Sequence, residues 1–236
     1  DFHGQLSPTS LAYDGINQPV GGAATLATLF DEELASLKDP DGLLLAAGDN
    51  VGASPPNSLL LEDKPAIDSE NAWGLDATSY GNHEFDYGVE RLLKQQARAH
   101  FPFLATNIVE TATGNAPPWV TPSKVFTVHG IKVGVIGAEL QNTPELVYAG
   151  ATAGLTFLPE AERIAAESER LRRHAADGRD QRHPPRAVAV PQLEPDRHGD
   201  RVLHAVAAPR RADAALHVAQ RLSVGLAGLE AGVDED

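Results

Sequence analysis

Three short runs of polar side chains in this sequence have the residue types of a site for divalent cations. They occupy residues 1–4 (DFHG), 48–50 (GDN) and 81–86 (GNHEFD). Carboxylate, imidazole and amide groups are common ligands of such cations. Two cations held about 3.5 to 4 Å apart can bind a phosphate, neutralise its charge and lower the pKa of a bound water. The three runs therefore predict a two-metal phosphoesterase.

Each predicted ligand has its own role in such a centre. Asp49 is the best candidate for a carboxylate that bridges two ions, with Asp1 and His3 on one side and the amide oxygen of Asn82 on the other. This mixture of oxygen and imidazole ligands suits Mn, Zn, Fe, Co or Mg and does not select among them. Structural roles stay open, since a turn at Asp49 and a cap at Asn82 also explain these residue types.

His83 and Asp86 are the predicted catalytic pair. Asp86 follows His83 by three residues, near enough to accept a hydrogen bond from the imidazole ring. An imidazole held by a carboxylate can stay protonated near neutral pH and give its proton to a leaving oxygen. We predict that role for His83.

Apolar runs that precede the polar ones indicate how the chain positions them. Residues 43–47, 75–80 and 101–105 have the pattern of short buried strands that end in polar turns. Residues 22–38 and 88–99 have the spacing of amphipathic helices. Strands and helices in alternation predict an α/β layered fold with its functional loops on one edge.

The sequence from about residue 120 predicts a hairpin followed by a helix. Two β-rich runs meet at His129 and Gly130, where glycine suits a tight turn. Pro159 then opens a helix that extends to about Arg173. Asn107, which follows the third predicted strand, is interpreted equally well as a residue near the site or as a structural residue of its loop.

Composition excludes several classes of protein. A net charge of −14 argues against a general basic surface for nucleic acid, so we expect no nucleic-acid-binding surface. The absence of cysteine excludes disulfides and thiolate zinc sites. No run of 18 or more apolar residues is present, so the sequence predicts no membrane span. The oligomeric state is not indicated.

The last third of the sequence differs in kind from the rest. From residue 158 to 236 there is no Phe, Tyr or Trp, and Ala, Arg, Val, Leu, Pro and His dominate. Such a segment has little to bury, so residues 174–206 are expected to pack poorly or stay disordered. We divide the chain into a partial catalytic domain (1–173) and an anomalous tail (174–236). Our hypothesis for the tail is disorder or out-of-frame translation of a GC-rich gene.

The order and content of the three polar runs resemble the calcineurin-like metallophosphatase superfamily. Within it, residues 1–171 resemble the bacterial 5'-nucleotidases and bifunctional nucleotidase/phosphodiesterases. The resemblance implies a layered metallophosphatase-type β-sandwich flanked by helices, here truncated and with a poorly folding C-terminal tail. It also implies a periplasmic or extracellular location, two divalent ions (Mn, Zn, Mg or Co), and hydrolysis of phosphoesters, chiefly nucleotides, by two-metal-activated hydroxide.

The resemblance assigns the same residues as the side-chain chemistry does. The blocks of the family that supply metal ligands fall on Asp1, His3, Asp49 and Asn82, and its His-Asp pair falls on His83 and Asp86.

Two departures from the family pattern support an alternative. The family also uses a later histidine and a Gly-His-x-His block, and this sequence has no such block. Histidines of the tail are therefore left unassigned, namely His174, His183, His198, His204 and His217. The sequence also lacks the aromatic base-stacking domain of these nucleotidases, and no strand holds Asp1 and His3, so this end is expected to fray. The alternative is an incomplete, inactive fragment that only binds divalent metal.

Overall fold

The chain was examined as a computed structural model, which describes residues 1–13, 16–36, 42–177 and 186–191. The strands in these ranges are mostly short. They are β1 (Thr9–Tyr13), β2 (Ile16–Val20), β3 (Leu45–Ala46), β4 (Ala77–Ser79), β5 (Phe103–Leu104), β6 (Ile108–Glu110), β7 (Ser123–Val128), β8 (Ile131–Ala138), β9 (Leu155–Phe157) and β10 (Arg186–Pro191). The helices are α1 (Ala23–Ser36), α2 (Pro56–Leu59), α3 (Lys64–Trp73), α4 (Gly88–Arg98), α5 (Thr143–Leu146) and α6 (Glu160–Asp177), with a 3₁₀ turn at Asn82–Phe85.

Strands β3, β4 and β5 form a parallel sheet in that order. Both faces of this sheet are covered, because Leu44 packs into one hydrophobic core while Leu43 and Leu45 pack into another. Burial on both faces explains why strands of this kind are continuous apolar runs in the sequence. The three predicted strands are therefore confirmed, although each is shorter than the apolar run that predicted it.

A second sheet has β8 at its centre, with β7 antiparallel on one side and β10 parallel on the other. The turn between β7 and β8 places His129 at φ 50° and Gly130 at φ 73°. Two successive positive φ angles are the geometry of a two-residue type I′ hairpin turn, which glycine favours. The predicted hairpin is confirmed.

The two sheets lie face to face. Ala77 of β4, Leu104 of β5 and Val135 of β8 form the core between them. The sheets approach so closely at Gly137 that a Cβ atom there would lie 2.0 Å from the Leu104 carbonyl oxygen. The sandwich therefore depends on the absence of a side chain at Gly137.

Helices cover the outer face of the first sheet. Ile67 of α3, Leu92 of α4 and Phe103 of β5 are fully or almost fully buried in one aromatic-rich core. Helix α6 packs on β8 and buries Leu171. This arrangement confirms the predicted α/β β-sandwich flanked by helices.

The predicted helices are confirmed as α1, α4 and α6, with α6 ending at Asp177 rather than near Arg173. Two pieces of the predicted tail belong to regular elements, namely the last turn of α6 and β10. The rest of that prediction concerns residues outside the described ranges. No helix within those ranges combines the length and apolar character needed to cross a bilayer.

Candidate metal centre

The first residues of the chain run alongside the loop that follows β3. The Asp1 ammonium donates to the Gly48 carbonyl (3.3 Å), the His3 N–H donates to Asp49 O (3.0 Å), and the Gly4 N–H donates to Asn50 O (3.0 Å). This succession of hydrogen bonds holds both residues that were expected to lie on a fraying end. The expectation was wrong because the loop itself serves as the pairing partner of residues 1–4.

Asp49 lies beyond the carboxyl end of β3 and is completely buried. Its backbone has φ 52°, a left-handed conformation that is uncommon for residues other than glycine. One carboxylate oxygen, Oδ1, accepts a hydrogen bond from the His83 backbone N–H (3.1 Å). The loops after β3 and β4 are therefore joined through the Asp49 side chain.

His83 lies in the 3₁₀ turn that follows β4, and its Nδ1 lies 2.8 Å from Asp86 Oδ2. Because a carboxylate only accepts, Nδ1 carries the proton and Nε2 is directed elsewhere. The hydrogen bond to Asp86 raises the pKa of His83, and the charges of Asp86, Asp49 and Glu84 act in the same direction against partial burial. The predicted hydrogen bond between His83 and Asp86 is therefore present in the structure.

His3, Asp49 and His83 form what we call the ligand cluster. One donor atom from each lies within 4.8 Å of the others. The rings of His3 and His83 meet edge to face with their centroids 4.8 Å apart. Two imidazoles and a buried carboxylate are a donor set that Mn, Zn, Fe or Co accepts. The sequence placed His83 beside the metal ligands, and the structure includes it in the ligand cluster itself.

The surroundings of His3 also fit a metal ligand. Its Nδ1 lies 2.9 Å from the Gly52 carbonyl oxygen, which can only accept, so Nδ1 is protonated and Nε2 is the atom available to a cation. Ligating histidines commonly donate their second ring N–H to a carbonyl or carboxylate in this way. A Cβ atom at Gly52 would lie 2.5 Å from the His83 carbonyl oxygen and 2.7 Å from Asp86 Oδ2.

The other two predicted ligands lie next to the cluster. Asp1 Oδ1 is 3.9 Å from His3 Nε2. Asn82 is buried at the start of the 3₁₀ turn. Gly48, before Asp49, lies against Gly81, before Asn82, because a Cβ atom at Gly48 would be 2.5 Å from Gly81 N. Metal binding by the four predicted ligands, Asp1, His3, Asp49 and Asn82, stays a prediction.

Glu84 was not predicted to be a site residue. Its side chain is buried, and its two carboxylate oxygens accept hydrogen bonds from the backbone N–H groups of Asp49 (2.9 Å), Asn50 (2.8 Å) and Gly81 (2.5 Å). Burial and the charge of Asp49 raise the pKa of Glu84 to about 8, while the backbone donors oppose this rise.

A second buried glutamate, Glu139, was also missed. It follows β8, and the Asn107 side chain holds its backbone on both sides, donating to Glu139 O (2.6 Å) and accepting from Glu139 N (2.9 Å). Asn107 Nδ2 also donates to Leu158 O (2.9 Å). The structural interpretation of Asn107 therefore has direct contacts to support it.

His174 is the one tail histidine within the described ranges. It is exposed in the last turn of α6, and it is not part of the ligand cluster. His183, His198, His204 and His217 lie outside those ranges.

Comparison with known proteins relates this geometry to a family. Residues 1–177 match the family described as calcineurin-like phosphoesterase. Similar proteins include a cell wall protein of Listeria monocytogenes, 32% identical over 196 residues, and a 5'-nucleotidase of Vibrio cholerae, 34% identical over 150 residues. These alignments cover 73% and 62% of this chain but 25% and 27% of the relatives, so the chain spans about a quarter of their length.

Solved structures agree with the sequence relatives. The crystal structure of a 5'-nucleotidase precursor from Thermus thermophilus is similar to this chain with a TM-score of 0.65 and 29% identity. The similarity covers 82% of this chain and 36% of that one. The family match over residues 1–177, together with this fold, shows that the chain belongs to the calcineurin-like phosphoesterases.

Proposed function

We propose that the described N-terminal region is the metal-binding part of a phosphoesterase that hydrolyses nucleotide phosphoesters. The observation that carries this proposal is the convergence of His3 and Asp49, whose donor atoms lie within 4.8 Å of each other and of a ring nitrogen of His83. The names of the Vibrio cholerae and Thermus thermophilus relatives support a nucleotide as the substrate. The proposal also places a domain boundary after residue 173.

In this proposal Asp1, His3, Asp49 and Asn82 would hold two divalent cations. Bound cations supply positive charge for the phosphate and lower the pKa of a water that attacks phosphorus. Hydrogen bonds within the chain position these ligands. The backbone of residues 48–50 holds Asp1 and His3, and the His83 N–H holds the Asp49 carboxylate.

His83 is proposed as the proton donor. The water oxygen forms a bond to phosphorus, the ester P–O bond breaks, and the proton on His83 Nε2 passes to the leaving oxygen. Asp86 keeps the ring oriented through Nδ1 and stabilises its protonated form, because their hydrogen bond raises the pKa of His83. Asp86 therefore acts through His83 rather than on the substrate.

A second candidate is a fragment that binds metal and turns nothing over. The observation that favours it is the size of the donor set: among the residues that the structure describes, His3, Asp49 and His83 are the His, Cys, Asp or Glu side chains that converge. A catalytic zinc commonly has three protein ligands, so these three side chains match the needs of one cation rather than two.

The test combines binding and turnover on the full chain. Mn²⁺ binding is followed by the EPR signal of the unbound ion, and hydrolysis of bis-p-nitrophenyl phosphate and of AMP is measured with Mn²⁺ present. Turnover that His83→Ala abolishes, with Mn²⁺ binding retained, supports the proton-donor role. Loss of binding in that variant identifies His83 as a ligand instead.

The wild-type chain separates the two candidates. Binding without turnover supports the inactive fragment. Absence of Mn²⁺ binding overturns both candidates, because each requires His3 and Asp49 to hold a cation. Asp86→Asn serves as a matched variant, since it keeps the shape of the side chain, and turnover is expected to fall without loss of Mn²⁺ binding.

A periplasmic or extracellular location is also part of the proposal. The similarity to a cell wall protein of Listeria monocytogenes supports it. Fractionation of cells that express the gene from its own promoter tests it, and recovery in the cytoplasmic fraction alone contradicts it.

A further inference from the structure

Glu84 connects the two loops that carry the ligand cluster. Its Oε2 accepts from the backbone N–H of Asp49 and from that of Gly81, while Oε1 accepts from Asn50. The first and third of these donors lie beyond β3, and the second lies beyond β4. A single side chain thus receives hydrogen bonds from the tips of two neighbouring parallel strands.

These hydrogen bonds stabilise a local backbone that would otherwise be unfavourable. Asp49 has a left-handed conformation, and its loop packs against Gly81 without room for a side chain at Gly48. The Asp49 and Asn50 residues are fully or almost fully buried, so their N–H groups need a partner inside the protein. Glu84 supplies that partner for both.

The contacts of Glu84 determine where the Asp49 carboxylate lies. The backbone N–H of Asp49 donates a hydrogen bond to the Glu84 carboxylate. His83, which directly precedes Glu84, donates its own backbone N–H to Asp49 Oδ1. Two adjacent residues of the 3₁₀ turn therefore hold Asp49 at both its backbone and its side chain. Two other buried glutamates have their partners elsewhere, since Glu139 pairs with Thr143, and Glu167 pairs with Ser123 and Arg170.

We propose that Glu84 is a positioning residue of the metal centre, which sets the separation of the loops after β3 and β4 and with it the distance between Asp49 and the donors on the second loop. This inference rests on the proposed function, because it assigns Glu84 a role toward the cations that the cluster would hold. Glu84 itself contacts neither substrate nor cation in this role.

Three variants of the full chain test the inference. Glu84→Gln keeps the size of the side chain but places an NH₂ group against at least one backbone N–H. Glu84→Asp keeps the carboxyl group but is one methylene shorter, so it can reach only one loop. Glu167→Gln is the matched control, because Glu167 is a buried glutamate on α6 whose partners are Ser123 and Arg170, on β7 and α6.

Two measurements are made at a temperature at which circular dichroism shows each variant to be folded. The first is the Mn²⁺ affinity by EPR, and the second is amide hydrogen exchange at Asp49, Asn50 and Gly81. We expect Glu84→Gln to weaken Mn²⁺ binding about 10-fold or more, as is typical for outer-shell partners of metal ligands, and to speed exchange at these amides. Glu84→Asp is expected to give an intermediate loss, and Glu167→Gln an affinity within about twofold of the wild type.

The outcomes distinguish the two proposals. Wild-type binding by the folded Glu84→Gln and Glu84→Asp variants overturns the role of Glu84 and leaves the proposed function intact. Equal losses in Glu84→Gln and Glu167→Gln also overturn it, because they point to a general effect of charge or stability. If the wild-type chain binds no Mn²⁺, the proposed function fails and the role of Glu84 fails with it.

Discussion

Glu84 and Glu139 are two glutamates that follow strands of the sandwich and are almost completely buried, yet their surroundings differ. Three backbone N–H groups donate to Glu84. Glu139 accepts a hydrogen bond from the Thr143 hydroxyl, and its Oε2 has no hydrogen-bond partner among the described residues. Burial alone therefore does not define the role of an acidic residue. The groups that donate hydrogen bonds to its carboxyl do.

The largest expected effect comes from removing the better satisfied of the two side chains. Glu84→Ala leaves three buried N–H groups without acceptors, and we expect the free energy of unfolding to fall by roughly 3 to 5 kcal/mol. Glu139→Ala removes the acceptor of the Thr143 hydroxyl and of the Leu140 backbone N–H, and it is expected to cost roughly 1 to 2 kcal/mol. Urea denaturation of the two variants measures both values, and equal losses would contradict the expected difference between the two glutamates.

A second prediction concerns the space around the ligand loops. Gly52→Ala and Gly74→Ala both place a side chain at a φ near 75°, but a Cβ atom at Gly52 meets His83 O and Asp86 Oδ2, whereas none of the described atoms lies within 4 Å of one at Gly74. We expect a loss of about 1 kcal/mol for Gly74→Ala and about 2 to 4 kcal/mol for Gly52→Ala. Thermal denaturation measures the difference, and Mn²⁺ binding should weaken in Gly52→Ala alone.

A third prediction concerns the pH dependence of the stability of Glu139→Gln. Burial raises the pKa of Glu139 well above its ordinary value, with smaller contributions from the charges of Glu84 and Asp49. A carboxyl whose pKa is higher in the folded chain makes the protein less stable as pH rises above the unfolded pKa, because only the unfolded chain then ionises readily. Glu139→Gln should therefore match the wild type near pH 4 and be more stable than the wild type near pH 8.

Denaturation of the metal-depleted protein at both pH values measures this effect. Equal stability of variant and wild type at pH 8 would mean that Glu139 is ionised at little cost in the folded chain. Glu139 would then no longer differ from Glu84 in the cost of its burial.

The smallest expected effect is at an exposed glutamate. Glu90 lies on α4 and pairs with Lys94 at 2.8 Å, with both side chains largely in solvent. Pairs of this kind on helix surfaces contribute little to stability, because water and salt screen the two charges. Glu90→Gln should leave the urea midpoint almost unchanged, and a clear fall in the midpoint would show that solvent exposure is a poor guide to the role of a glutamate here.

The sequence predicted those parts of the site that are local along the chain. Asp49 and Asn82 follow apolar runs directly, and Asp86 follows His83 by three residues, so spacing alone indicated a shared edge and a hydrogen bond. The layered fold followed from the same alternation of apolar and polar segments. The structure confirms this fold. Parallel strands that are buried on both faces are continuous apolar runs, and such runs are easy to recognise in a sequence.

Contacts between residues distant in sequence were not predictable in this way. Glu84 and the Asp49 N–H are 35 residues apart, and Asn107 and Glu139 are 32 apart, so no periodicity connects them. The bonds that hold residues 1–4 to the loop at 48–50 were missed for the same reason. Such partners depend on the register of strands, which residue spacing within one strand does not specify.

The close approach at Gly137 has an evolutionary consequence. Because any side chain there would collide with the Leu104 carbonyl, descendants of this sequence that keep the fold are expected to keep glycine at that position whatever substrate they acquire. Variation that changes specificity is then confined to the loops beyond the strand ends. The lineage can alter what enters its site while inheriting an unchanged spacing between the two sheets.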